Sequence, residues 1–159
     1  MKELPFSKNK QIGSGRSWRK QEKDMDELFA ILLKLKRNLT CERCGTVYRI
    51  TDNFKIPPGI QCSHYIGRNK RNTRWSMENC FAHCAGCHRY LDDHPHEFRS
   101  WVLNYSFKYK ETELLLMEQF GNAKFTGDRG FIEMWIIKEL EKELPRWPEL
   151  NYRCLNSIL

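Results

Sequence analysis

"CSHYIGRNKRNTRWSMENCFAHCAGCH", Cys62 to His88, packs four cysteines, three histidines and four Lys or Arg residues into 27 positions. Residue types that ligate metals share this short segment with a run of positive charge, and the reading of that combination decides the fold. The four residues before His88 are "CAGC", in which Cys84 and Cys87 form a C-x-x-C turn that aims two thiolates at one point. Upstream, "CERC" repeats the device with Cys41 and Cys44, followed by Gly45. Two such turns complete a tetrahedral site suited to structural zinc. The gap of 39 residues between Cys44 and Cys84 exceeds that of a simple zinc ribbon. A separate unit of structure is therefore expected inside the loop that the metal closes. Cys62 and Cys80 read first as small buried hydrophobes, with a second metal site or a replacement ligand as the alternative. His83 is a candidate alternative ligand, His94 and His96 read as ordinary surface or core residues, and Cys154 has no legible role.

Composition bounds what this centre can belong to. The chain has 159 residues, enough for one domain with a modest core. Its net charge of +7 and pI near 9.1 favour a polyanionic partner. No run of apolar residues is long enough to span a membrane, and "MKELPFSKNKQ" lacks the apolar core of a signal peptide, so the expected location is the cytoplasm. Seven cysteines in a reducing compartment argue for metal binding over disulfides, and the odd number disfavours a fully paired set. Residues 1–50 carry 12 Lys and Arg against 6 Asp and Glu, whereas residues 108–149 carry 7 against 9. The positive surface is thus expected from the N-terminal arm and the centre.

Four regions follow. Residues 1–17, with "SKNKQIGSGRS", read as a mobile basic arm. Residues 18–40 read as an amphipathic helix, because Leu28, Ile31, Leu32 and Leu35 recur at helical spacing. Residues 41–95 hold the cysteine-rich core. Residues 96–159 read as helical, from three patterns: "HPHEFRSWVLNYS", "KETELLLMEQFG" and "DRGFIEMWIIKELEKEL". The first is expected to bury Phe98, Trp101, Val102 and Tyr105. The last is expected to start at an Asp128 cap and to bury Phe131, Trp135, Ile136 and Leu140.

The basic run "GRNKRNTRW" contributes Arg68, Lys70, Arg71 and Arg74 without an intervening acid, and Arg89 follows His88 directly. Such a run is often a solvated loop. Placed between His64 and His88, it also suits contact with phosphates. Trp75 reads as packing under the loop rather than stacking on a base. No element reads as a sequence-specific base reader, which favours recognition of nucleic-acid shape or backbone.

The order His64, Asn79, His88, set within two zinc knuckles, resembles the HNH (ββα-metal, His-Me finger) endonucleases. The "SH" strand, the "RW…EN" loop and "C-x-x-C-H" are most similar to the phage NinG/Rap recombination nuclease family. The resemblance covers about residues 41–95. It implies an α+β fold with a zinc-stabilised ββα-metal core and flanking helices. It implies hydrolysis of DNA, leaving a 5′-phosphate and a 3′-hydroxyl. His64 would be the general base, Asn79 would pin the hairpin loop, and His88 would hold one catalytic Mg²⁺ or Mn²⁺ distinct from the zinc. Many members carry Asp or His directly before the base. This chain has Ser63, so a further ligand falls to another group such as Asp92 or Asp93. The implied substrate is branched or structured DNA such as a Holliday junction, which a homodimer would suit, in a phage-encoded protein of the host cytoplasm. Two alternatives stay open: a non-catalytic zinc module that binds nucleic acid, and a less selective HNH nicking nuclease.

Overall fold

The structure is a computed structural model and describes residues 17–53, 55–104 and 109–150. The expected N-terminal arm falls almost wholly outside the described residues, as do Tyr105 and Cys154. Among the described residues the fold is α+β, with five α-helices and one two-stranded antiparallel sheet. No helix among them is long and apolar enough to cross a membrane.

Helix α1 spans Trp18–Lys36. Ser17 caps it by accepting the Lys20 amide at 3.4 Å, and Met25, Leu28, Phe29, Leu32, Leu33 and Leu35 form its buried stripe. The helix stops short of the expected residue 40. Asn38 and Leu39 take positive φ, both near 51°, and the Leu39 amide turns back to the Lys34 carbonyl at 2.9 Å. Leu39 accepts that backbone because its side chain is fully buried in the core behind α1. The turn delivers the chain directly to Cys41.

Strands β1 (Ile60–His64) and β2 (Cys80–Cys84) pair with Cys62 opposite Ala82 and His64 opposite Cys80. Side chains alternate across a strand, so the hairpin has two distinct faces. Cys80 and Cys62 belong to the apolar cluster built by α1 and α5. Phe81 belongs to a second cluster, with Leu91, Phe98, Trp101, Val102 and Leu114. The hairpin is therefore the wall between two cores. Helix α2 (Ala85–Asp93) and helix α3 (Pro95–Asn104) cover the second face. His83, fully buried, packs its ring against Phe81, Phe98 and Trp101.

Helix α4 spans Glu111–Asn122 and helix α5 spans Arg129–Glu143. The Asp128 cap is present, with its carboxylate accepting the Phe131 amide at 3.0 Å. Ile136 and Leu140 are buried, as expected, whereas Trp135 is half-buried. Phe131 is not buried: 64% of it is exposed. At ~100° per residue it lies about 140° from Ile136 and about 180° from Leu140, so it shares the Trp135 edge and not the buried stripe.

Candidate metal centre and hairpin site

The two C-x-x-C turns meet. The sulfurs of Cys41, Cys44, Cys84 and Cys87 all lie within 4.8 Å of one another, and this cage can hold a metal such as zinc. Each turn is shaped for it. Gly45 takes φ 75° and donates its amide to the Cys41 carbonyl at 2.9 Å, while the Cys41 amide reaches Thr46 at 2.8 Å. In the other turn Cys84 caps α2, its sulfur accepting the Cys87 amide at 3.4 Å. Glu42 ties the first turn to β2: its amide donates to the Ala82 carbonyl and its carboxylate accepts the Ala82 amide. The thiols are electrostatically unequal. The Thr46 hydroxyl and amide draw Cys44 down to about 6. Burial, then the neighbouring Cys84 sulfur, pushes Cys87 up to about 12, and burial raises Cys41. The Cys44 thiolate forms readily, whereas Cys41 and Cys87 need a cation's charge to ionise.

His64 closes β1 where the loop of residues 65–79 begins. Its Nε2 lies 2.9 Å from the Arg74 carbonyl oxygen. A carbonyl only accepts, so Nε2 carries the proton and Nδ1 keeps the lone pair. Nδ1 faces the Cys62 sulfur at 4.0 Å. Hydrogen bonding by Cys80 draws the Cys62 thiol down to about 5 against the effect of its burial. Asn79, fully buried, clamps the loop. Its Oδ1 accepts the Ile66 amide at 2.7 Å, and its Nδ2 donates to the carbonyls of Ile66 and Thr73 at 2.8 and 3.0 Å. Thr73 adjoins Arg74, so the residue that holds the loop also fixes the carbonyl that orients His64.

His88 lies on the other face. Its Nδ1 meets the Gln61 amide oxygen at 2.8 Å and its Nε2 lies 3.3 Å from an Asp92 carboxylate oxygen. Gln61 and Ser63 share one phase of β1, and Cys62 and His64 share the other. His64 and His88 are thus set on opposite faces of the hairpin. Of the two acids considered as extra ligands, Asp92 is the one beside His88.

The cations divide into two groups. Arg74 donates to both Asp26 carboxylate oxygens, at 2.9 and 2.6 Å, and also to Glu22. Arg71 pairs with the same Glu22 at 3.0 Å and stacks over Trp18. The run has no acid of its own, yet α1 supplies two acids from about fifty residues away. Those two charges are largely balanced within the chain, which narrows the expected phosphate-contacting set. Arg68, Lys70 and Arg89 make no ion pair among the described residues, and Arg68 and Arg89 are exposed. Trp75 packs in the core and donates its indole N–H to Asp26 at 2.9 Å.

No protein family, curated protein or solved structure matches the chain. Sequence reasoning missed Gln61 as the partner of His88, and it ranked the burial of Cys62 and Cys80 above their convergence with His64. The alternation of β1 carried the signal for both: Gln61 with Ser63, and Cys62 with His64.

Proposed function

We propose that this chain is a metal-dependent DNA endonuclease of the HNH type, built on a zinc-stabilised ββα-metal core and acting on branched or otherwise structured DNA. The observation that carries the reading is the Asn79 clamp, with His64 oriented by the loop it holds. A buried amide making three bonds to one loop, beside an imidazole whose lone-pair nitrogen is left for a proton, is an arrangement for a general base. The four-cysteine cage supports it by tying the first turn, the hairpin and α2 into one unit.

In the proposed reaction water attacks the scissile phosphate in line, its proton passes to His64 Nδ1, and the bond to the 3′-oxygen breaks, the departing oxygen taking a proton from solvent. A 5′-phosphate and a 3′-hydroxyl result. A hard divalent cation, Mg²⁺ or Mn²⁺, held by His88 with Asp92, would neutralise charge on the phosphate and the leaving oxygen. Asp92 takes over the ligand role that Ser63 cannot fill. Arg68, Lys70 and Arg89 supply the phosphate contacts.

The test is single-turnover cleavage of a four-way junction, a flap and a linear duplex, each with Mg²⁺, Mn²⁺ or EDTA. The parent should cut the branched substrates only with a divalent cation. His64→Ala should lose ~10²- to 10⁴-fold in rate, with DNA affinity nearly unchanged. His88→Ala should need more cation for its remaining activity. Unchanged cleavage by His64→Ala removes the base assignment. Failure of the parent to cut any of the three DNAs transfers the chain to the reading of a non-catalytic zinc module.

A further inference from the structure

We propose that Cys62, His64 and Cys80 form a second metal site, separate from the four-cysteine cage, that binds a soft divalent cation of the zinc class and leaves one coordination position to solvent. The three donor atoms lie within 4.8 Å of one another. Tetrahedral zinc, with Zn–S of about 2.3 Å and Zn–N of about 2.0 Å, sets its donors about 3.5–3.8 Å apart. The Cys62 sulfur and His64 Nδ1, at 4.0 Å, are a few tenths of an ångström from that spacing.

The scaffold explains the convergence. Cys62 and His64 stand at i and i+2 on β1, and Cys80 is the register partner of His64 on β2. All three therefore project from one face of a paired hairpin, and the rigid strands present them together. The imidazole is already set as a metal ligand. Its Nε2–H is committed to the Arg74 carbonyl at 2.9 Å, which leaves the Nδ1 lone pair directed at Cys62. Ligating histidines commonly donate their second ring N–H to such an acceptor. Packing accounts for Cys80, which is fully buried in the α1 cluster. It does not account for half-buried Cys62 and His64 meeting at donor distance. Two thiolates and one imidazole are a soft donor set, which selects zinc-class ions over Mg²⁺. With three protein donors the fourth position falls to water, the pattern of an accessible site and not of a closed structural one.

The site has a consequence that rests on the nuclease reading. The Nδ1 lone pair serves either a cation or a proton from water. Occupancy and catalysis are mutually exclusive, and a bound soft cation holds the enzyme off.

The experiment is metal stoichiometry on the full chain under reducing conditions, by elemental analysis after zinc loading and by Co²⁺ titration followed through the thiolate-to-cobalt charge-transfer band. Counted by the thiolate-to-cobalt band, which a cation on His88 and Asp92 does not produce, the parent should take two equivalents and Cys62→Ala one, with the far-ultraviolet spectrum unchanged. Should Cys62→Ala fail to fold, Cys62→Ser replaces it, since a hydroxyl is a poor zinc donor. One equivalent in the parent, or two retained in the folded variant, overturns the site. In the second arm added Zn²⁺ should slow Mg²⁺-dependent cleavage at least tenfold in the parent and much less in Cys62→Ala. Two equivalents without this inhibition leave the metal site standing and remove its link to the base, so the two readings fail separately.

Discussion

Replacing Asn79 with Ala tests the clamp at its centre. The substitution removes three hydrogen bonds, to the amide and carbonyl of Ile66 and to the carbonyl of Thr73, from a fully buried side chain. A buried polar group left without its partner costs ~1–3 kcal/mol. Thr73 is almost fully buried, so its carbonyl bears that full cost. Ile66 is half-buried and its groups recover part of theirs from water. The sum is ~2–4 kcal/mol, which for a domain of this size lowers the melting temperature by roughly 5–15 °C. The assay is calorimetric melting of parent and variant with equal metal content. Asn79→Asp sharpens the test. An ionised carboxylate still accepts from the Ile66 amide, but its other oxygen then faces two carbonyls at the distances Nδ2 now occupies. Asn79→Asp should therefore be at least as unstable as Asn79→Ala at neutral pH, although it is nearly isosteric. Loosening Thr73 also frees the neighbouring Arg74 carbonyl that orients His64, so cleavage should fall ~10²-fold through misplacement of the base. A variant that melts within about 1 °C of the parent, or an Asn79→Asp protein as stable as the parent, refutes the clamp.

Other expectations follow from the same geometry. Cys84→Ser should lose one equivalent of tightly bound cation by elemental analysis and melt far below the parent, since the binding energy of such a cage is folding energy of ~10 kcal/mol or more. Replacing Arg68, Lys70 and Arg89 together with Ala should reduce the slope of log affinity against log salt by up to ~0.9 for each phosphate no longer neutralised. Arg74→Ala should leave that slope nearly unchanged and instead cost ~1–3 kcal/mol of stability in denaturant titration, because Asp26 loses its cation and keeps, among the described residues, only the Trp75 indole N–H as a partner. Glu139 is held below its ordinary 4.5 by Lys142 and Lys36, the latter 2.9 Å away. A depressed carboxylate stabilises the fold fully above its ordinary value and loses that contribution as pH falls through the lowered one. The difference in melting temperature between the parent and Lys36→Gln should accordingly be full at neutral pH and shrink below 4.5.

Much of the local structure was legible because it depends on short-range rules. Helical spacing marked α1, Asp128 marked the start of α5, and paired C-x-x-C turns marked the cage, each within a few residues of chain. The misreading of Phe131 was also local: five and nine residues are the wrong intervals for the Ile136 and Leu140 face. What stayed hidden depended on partners far away in sequence. Nothing within "GRNKRNTRW" announces that Glu22 and Asp26 neutralise Arg71 and Arg74, because only the docking of α1 on the loop brings them together.

The sequence by itself determined that two C-x-x-C turns close a long loop with structure of its own inside it, since the spacing within each turn aims its two thiolates at one point. It also determined the net positive charge and the order His64, Asn79, His88. Only the tertiary structure decided which face of the hairpin each residue occupies. A strand's alternation becomes inside or outside once cores pack on both sides. Here α1 and α5 claim the face of Cys62, His64 and Cys80, while α2 and α3 claim that of Gln61, Phe81 and His83.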